Sequence, residues 1–366
     1  MQARLAVLGA TGSIGRQALD VASAHRDRLR VVGLSCRASA DACDALARDD
    51  RARVVVAERD GDDAVVDLAR ADDVDLVVVG IPGIAALRPT LAALDAGKAV
   101  AIAAKEVLVV AGHLVRARAR GGAGERLRPI DSEHCALWQC LRGEDVRTVE
   151  SVTLTASGGP FRDVPLAELE HATVQRALQH PTWRMGPKVT VDSATLVNKG
   201  YELIEAHWLF DLPYAAVNAV IHPQSLVHAL VRFADGSVKA QLADPDMRLP
   251  IQYALLYPAR VVSPARRFEL HDLTFTPIDP ARYPCYAIVL EAAHAGTAAT
   301  IAVNAADEVA VARFLRGELS FRAIAGVLER ALAIAARASL GASPDLDAIL
   351  AFDAEVRREL RAKVVV

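Results

Sequence analysis

A chain of 366 residues, 52% hydrophobic and 24% charged with a formal net charge of −3, is long enough for two or three domains, each with its own core. The interspersed charge excludes a nucleic-acid or polybasic membrane surface as the organising feature, and no apolar run approaches the ~18 residues of a membrane span. The cysteines (Cys36, Cys43, Cys135, Cys140 and Cys285) form no C-x-x-C pair and no secretory segment precedes the first strand, so reduced thiols in a cytoplasmic protein are expected.

The first elements alternate. "RLAVL" (4–8) reads as a strand, "GATGSIG" (9–15) as a glycine turn, and 14–24 as a helix. A strand at 30–35, a helix around 39–48, a strand at 53–57 and the helical "AVVDLAR" follow. "VDLVVVG" (74–80) is apolar throughout, as a strand buried on both faces must be. A helix ending near Gly97 and the strand "KAVAIA" complete the pattern of a doubly wound parallel sheet over 1–128, a Rossmann-like α/β domain. From 129 to 261 the pattern is α+β. Strands are predicted at "ESVTLTAS", at 188–192 ("KVTVD"), at 216–222 and in a hairpin turning at "ADGS", with one long helix over about 194–210 capped by Asp192 or Ser193. The Pro-rich 262–284 reads as a connector, and the Ala/Leu-rich 285–366 as a C-terminal helical bundle.

The glycine turn lies between a strand and a helix. There, backbone N–H groups can meet a pyrophosphate at the helix start, which makes a dinucleotide the expected ligand. Strand two ends at Ser35 without the acid that would take a ribose 2′-hydroxyl; Ser35 and Arg37 suit a 2′-phosphate, so NADP is favoured over NAD. Basic residues are nearly all arginine, and the few lysines (Lys98, Lys105, Lys188, Lys199, Lys239 and Lys363) become candidate positions for a compact ammonium. Lys105 and Glu106 follow a strand at the ligand-binding edge of a parallel sheet. In "PIDSEH", Asp131 and Glu133 stand two apart, so on an extended segment they point the same way. Asn198, Lys199 and Glu202 share one side of the predicted helix, with Asn and Lys suited to a phosphate and Glu202 free as a third carboxylate. "TASGGPF" is a second Ser-Gly-Gly turn, and "HPTWRMGPK" (180–188) reads as an apolar closing loop that hinges at Gly186. Each motif has a plain alternative: a tight turn, an exposed arginine, a surface ion pair, or a loop packed permanently on the core.

Taken in order, "GATGSIG", "KE", "DSEH", "SGGPF", "HPTWRMGPK", "VDSATLVNKGYELIEA", "IHPQSLVHALVRFADGSV", "PDMRLPIQYAL" and "NAADEVAVARFL" resemble the 1-deoxy-D-xylulose 5-phosphate reductoisomerase family across essentially the whole chain. The resemblance implies a divalent cation, Mg2+ or Mn2+, held by Asp131, Glu133 and Glu202. It implies substrate contacts from Lys105, Ser132, Ser157, His180, Trp183, Met185, Ser193, Asn198 and Lys199. NADPH contacts are implied for Thr11, Gly12, Ser13, Ile14, Arg37, Glu106 and Gly186. The implied reaction is a metal-assisted carbon–carbon rearrangement of 1-deoxy-D-xylulose 5-phosphate, with Lys105 beside the reacting carbons. Hydride transfer from NADPH then gives 2-C-methyl-D-erythritol 4-phosphate. A homodimer is implied as well.

Two positions depart from the family pattern. Ala104 stands before Lys105 and Ala38 after Arg37, each where the family commonly has Asn, so hydrogen bonds worth ~0.5–1.5 kcal/mol each are missing near NADPH. Two other readings compete. A semialdehyde dehydrogenase would use Cys135 beside His134 as nucleophile, and a non-catalytic NADP-binding homologue would bind NADPH without turnover.

Overall fold

The computed structural model describes residues 2–47, 51–120 and 122–362. Its first half runs β1 (Ala3–Leu8), α1 (Ser13–Ala24), β2 (Leu29–Cys36), α2 (Ala40–Ala47), β3 (Arg53–Val56), α3 (Ala57–Asp60), α4 (Asp62–Arg70), β4 (Leu76–Val79), α5 (Leu87–Asp95), β5 (Ala99–Ile102), α6 (Lys105–Ala119) and β6 (Leu127–Pro129). The middle comprises α7 (Ser132–Leu141), β7 (Val149–Ala156), α8 (Val174–Ala177), α9 (Pro187–Thr195), α10 (Val197–Phe210), β8 (Val217–Ile221), β9 (Val227–Phe233), β10 (Val238–Leu242) and α11 (Arg248–Leu256). Helices α12 (Pro284–Ala295), α13 (Thr297–Leu315), α14 (Ala323–Ala335) and α15 (Leu346–Ala362) close the chain.

The first sheet is parallel throughout, in the order β3-β2-β1-β4-β5-β6. Its strands alternate between two cores, as period-two side chains must. Leu5, Val7, Leu76 and Val78 face α1, α2 and α11, while Ala6, Leu8, Val77 and Val79 face α4, α5 and α6. This is the two-sided burial expected of all-apolar parallel strands. The order reverses between β1 and β4, which places a ligand crevice at their C-terminal ends. One cover is unexpected from chain order: Ile251, Ala254 and Leu255 of α11 pack into the core beneath α1, although α11 follows the second sheet.

The second sheet, in the order β10-β9-β7-β8, is antiparallel except for the β7–β8 pair. The predicted hairpin turns at Ala234–Ser237, with Gly236 at φ 84°. One face of the sheet buries Val152, Leu154, Ala229 and Val231 in the same core as α7 and α10. In the C-terminal bundle α13 lies at the centre, and most of its length from Ala299 to Phe314 is buried.

Two local expectations fail. Residues 188–192 are helix, not strand. Their β-branched composition favours a strand, but Gly186 and Pro187 start a helix, with Pro at a position where its missing N–H costs nothing. Thr190 Oγ1 then donates back to the Gly186 carbonyl (2.9 Å), and Lys188 reaches Asp192 one turn on (2.7 Å). The long helix is also broken in two. Leu196 adopts the left-handed conformation (φ 57°) between α9 and α10, and neither Asp192 nor Ser193 caps a helix start there. Five residues along a continuous helix turn about 140° past a full circle, so Ser193 and Asn198 would face apart. The break at Leu196 lets both line one cavity.

Candidate active site

A cavity of about 510 Å3 opens between the two sheets and is walled by the starts of α6 and α7, by α9 and α10, and by the loop before α9. The first sheet contributes the ends of its strands. After β1, Gly9 (φ 83°) turns the chain so tightly that a Cβ there would lie 2.7 Å from the Gly80 carbonyl oxygen, and one on Gly15 would lie 2.3 Å from that of Gly9. Only glycine allows the turn and helix to pack this closely. Ser13 and Ile14 line the cavity; the exposed Gly12 and the half-buried Thr11 belong to the same turn but lie outside its wall.

Lys105 and Glu106 open α6 just after β5, and Asp131 follows β6 as the N-cap of α7, its carboxylate accepting from Ser132 N (3.1 Å). Asp131 and Glu133 therefore do not converge by strand alternation. They sit at a helix start, where the helix dipole favours acids. Glu202 of α10 meets them, and the three can offer ligand atoms within 4.8 Å of one another.

Two lysines are threaded among these acids. Lys105 Nζ pairs with Asp131 and lies 3.6 Å from Glu202; Lys199 Nζ pairs with Glu202 and lies 3.1 Å from Glu133. Asn198 Nδ2 donates to Glu202 Oε1 (2.6 Å), and Ser132 Oγ donates to Glu133 Oε2 (2.6 Å). Burial would raise the Asp131 carboxyl, but Lys105 and His134 outweigh it and hold it well below the usual range. Glu202, only 1% exposed, behaves oppositely: burial and then Glu133 push it up to about 8. Hard oxygen donors converging with a raised carboxyl are what a divalent cation would satisfy, so the residues fit such an ion.

His134 is fully buried. Its Nε2 faces the Glu202 carbonyl (2.9 Å) and its Nδ1 faces Asp131 (3.1 Å) and Glu205 (3.7 Å). Both nitrogens meet acceptors, so both carry protons. Burial alone would oppose this, but Glu205 and Asp131 win and hold the ring up to about 9. His180 is the reverse case. Its Nδ1 accepts from Thr182 N (3.1 Å) and Trp183 N (2.8 Å), so Nε2 carries the proton, 3.0 Å from both Ser157 Oγ and Ser193 Oγ. Burial lowers it to about 4, which keeps it neutral. The Ser-Gly-Gly turn supports this corner: Gly159 N donates to Ser157 Oγ (3.2 Å), and a Cβ on Gly159 would strike the Ser193 carbonyl oxygen at 2.7 Å. The Ser157 and Ser193 hydroxyls thus meet at His180, and Asn198 and Lys199, engaged with Glu202 and Glu133, line the same cavity; together they make a donor set suited to a phosphate.

Trp183, Met185 and Gly186 line the same cavity, with the Trp183 ring 6.4 Å from that of His228. Gly186 has an ordinary extended backbone (φ −64°) and open space where a Cβ would stand.

Family models match residues 5–61 and 58–112 (1-deoxy-D-xylulose 5-phosphate reductoisomerase), 127–210 (the C-terminal domain of that reductoisomerase) and 242–359 (DXP reductoisomerase C-terminal domain). The 1-deoxy-D-xylulose 5-phosphate reductoisomerase of Geobacillus kaustophilus is 45% identical, covering 98% of both chains. This chain belongs to the 1-deoxy-D-xylulose 5-phosphate reductoisomerase family. Its relative from Thermomicrobium roseum is also 45% identical, covering 100% of this chain and 99% of that one. Among solved structures, a DOX-P reductoisomerase in complex with NADPH, fosmidomycin and magnesium superimposes with a TM-score of 0.89 at 36% identity, covering 99% and 98% of the two chains. The Zymomonas mobilis 1-deoxy-D-xylulose 5-phosphate reductoisomerase in complex with NADPH gives 0.89 at 36% identity over 100% of each.

Within this reductoisomerase fold the cavity gathers most of the sequence-predicted residues, but not Thr11, Gly12, Ser35 or Arg37. Ser35 is 1% exposed and lies behind the glycine turn, where its Oγ faces Gly9 N (3.4 Å). Arg37 is solvent-exposed and paired with Glu58 (3.4 Å). Cys135 is fully buried, and its thiol is pushed up to about 12 by burial, so it offers no nucleophile for a dehydrogenase of the semialdehyde class. Sequence reasoning passed over His228 and Ser225, and took Lys188 only as one of the scarce lysines and Asp192 only as a helix cap; all four line the cavity. His228 was hidden inside a strand of ordinary alternation. Lys188 and Asp192 were readable as an i,i+4 pair only if 188–192 was taken as helix.

Proposed function

We propose that this chain converts 1-deoxy-D-xylulose 5-phosphate to 2-C-methyl-D-erythritol 4-phosphate, using NADPH and a divalent cation, Mg2+ or Mn2+. The observation that carries the reading is the convergence of Asp131, Glu133 and Glu202 with Lys105 and Lys199 in a cavity that also reaches the glycine turn. When bound, the cation supplies Lewis-acid polarisation of substrate oxygens, and NADPH supplies hydride.

The chain's own residues bind, orient and neutralise. Ser157, Ser193, Asn198 and Lys199 hold the substrate phosphate, with neutral His180 donating from Nε2. Ser132 and Lys105 face the reacting carbons, and the Lys105 ammonium stabilises or protonates oxygen there. Trp183 and Met185 cover the substrate and exclude water. Thr11, Gly12, Ser13 and Ile14 receive the pyrophosphate, Arg37 the 2′-phosphate, and Glu106 and Gly186 the nicotinamide half of NADPH. Ser35 acts only by supporting the turn.

We read the chain as an NADPH-binding domain (1–128), a catalytic domain (129–261), a connector (262–284) and a helical domain (285–366), assembled as a cytoplasmic homodimer. The exposed edge strand β10 and the exposed Val262, Leu270 and Phe275 support a subunit contact. No described helix is long and apolar enough to cross a membrane.

The test is NADPH oxidation on addition of 1-deoxy-D-xylulose 5-phosphate, with and without chelator. Turnover that stops with chelator and returns with Mn2+ is expected. NADPH binding without turnover at saturating Mn2+ would favour a non-catalytic homologue, and turnover indifferent to chelator would remove the cation.

A further inference from the structure

A second group of buried charges adjoins the proposed site. Lys188, in the first turn of α9, places Nζ 2.7 Å from Asp192 on its own helix, 2.8 Å from Asp307 on α13 and 3.5 Å from Glu106 on α6. The same ammonium lies 5.3 Å from the centre of the Tyr201 ring on α10. Asp307 is 0% exposed, Asp192 2% and Glu106 6%. One ammonium thus faces three carboxylates from three different helices.

The arrangement is poor as a stabilising device. Among the described residues, Asp192 Oδ1, both Asp307 carboxylate oxygens and the Tyr201 hydroxyl are buried without a hydrogen-bond partner, the approach of Lys188 to Asp307 Oδ2 being an ion pair. Such orphans are rare, and a packing role alone is served as well by apolar residues of the same volume. The location gives the cluster a different meaning. Lys188 directly follows the loop that carries Trp183 and Met185. Glu106 directly follows Lys105, which pairs with Asp131 on the metal side. The consecutive residues 105 and 106 are therefore each held by an opposite charge, one from the carboxylate wall and one from the base of the loop.

We propose that Lys188 is a positioning residue that fixes Glu106, and with it the cofactor end of the cavity, to the base of the closing loop through the Glu106–Lys188–Asp307 junction. Asp192 steers the ammonium along α9, and Asp307 anchors it to the C-terminal bundle. The proposal rests on the reading of Glu106 as a contact for NADPH. It adds that the loop and the cofactor communicate through one ammonium.

The experiment measures NADPH affinity by fluorescence and Mn2+ affinity by calorimetry on the full chain, for the wild type, Lys188→Met, Lys188→Arg and the double variant Lys188→Met/Asp307→Asn. The double variant removes one acid with the ammonium, so that a folded protein is in hand if the single variant misfolds. NADPH affinity is expected to fall 10-fold or more in Lys188→Met and in the double variant. Mn2+ affinity should stay within twofold, KM for NADPH should rise more than kcat falls, and Lys188→Arg should recover most of the loss. A purely structural role lowers the melting temperature and leaves NADPH affinity of the folded variants within twofold of wild type; that result overturns the proposal. A wild type that binds no NADPH overturns the functional reading and the proposal with it, whereas a wild type that binds and variants that match it overturn the proposal alone.

Discussion

Glu202→Gln preserves the shape of the side chain and removes its charge. In the folded chain the Glu202 carboxyl stands at about 8, raised by burial and then by Glu133. Cation binding requires the carboxylate, so below pH 8 the cation must displace a proton and affinity rises with pH. At pH 6 the displacement spans two units below a pKa of about 8, a penalty of about 2.7 kcal/mol or roughly a 100-fold weaker apparent Kd than above pH 8. Two neighbours add to the slope: Glu205, which burial raises to about 7, and His134, which stands at about 9 against its burial because of Glu205 and Asp131. At pH 6 Glu202→Gln should remove about one proton from the number released on binding, and at pH 8 about half of one. At pH 8 it should also weaken Mn2+ by 10-fold or more, since a lost charge-assisted contact is worth about 1.5–3 kcal/mol. Calorimetric Mn2+ titrations in buffers of different ionisation enthalpy report both quantities. Equal proton release and equal affinity in the two proteins would remove Glu202 from the metal site, leaving Lys105 and Lys199 as the permanent partners of these acids.

Arg37→Asp should narrow or reverse the preference for NADPH over NADH, read from the ratio of KM values, and Glu58→Gln should sharpen it by freeing the guanidinium now paired at 3.4 Å; a wild type that uses NADH equally well refutes the assignment of Arg37. Ala104 is the N-cap of α6 and offers no capping side chain. Ala104→Asn should therefore raise stability by about 0.5–2 kcal/mol and tighten NADPH, and thermal melts with and without cofactor check both effects. Gly159 sits at φ 66° with the Ser193 carbonyl oxygen 2.7 Å from a would-be Cβ, so Gly159→Ala should cost about 1–3 kcal/mol and raise KM for the phosphorylated substrate. An unchanged melting temperature would mean that the turn has slack the distance does not reveal.

The first sheet was legible because its strands are apolar on both faces and its helices are punctuated by glycine and charge. The second sheet was legible from simple alternation. Residues 187–196 were not, because local preference and tertiary outcome disagree there. Val189, Thr190 and Val191 vote for a strand, while the helix is held by Thr190 on Gly186 and by Lys188 on Asp192 and Asp307. A left-handed Leu196 has no signature in the sequence at all, since glycine or asparagine is the usual sign of that conformation. The pairing of Asp131 with Glu133 was correctly read as a convergence, but for the wrong geometric reason. The family resemblance pointed to these residues without depending on which local geometry brings them together.

The position of α11 has a consequence for biosynthesis. One face of the first sheet is sealed partly by Ile251, Ala254 and Leu255. About 120 residues separate the end of β6 at Pro129 from the start of α11 at Arg248, a wait of roughly 6–24 s at translation speeds of ~5–20 residues per second. Throughout that interval the emerging sheet carries an uncovered apolar strip. A nascent chain of this kind is a natural client for chaperones that shield hydrophobic surface, and a fragment ending after β6 would keep the strip permanently and be prone to aggregate.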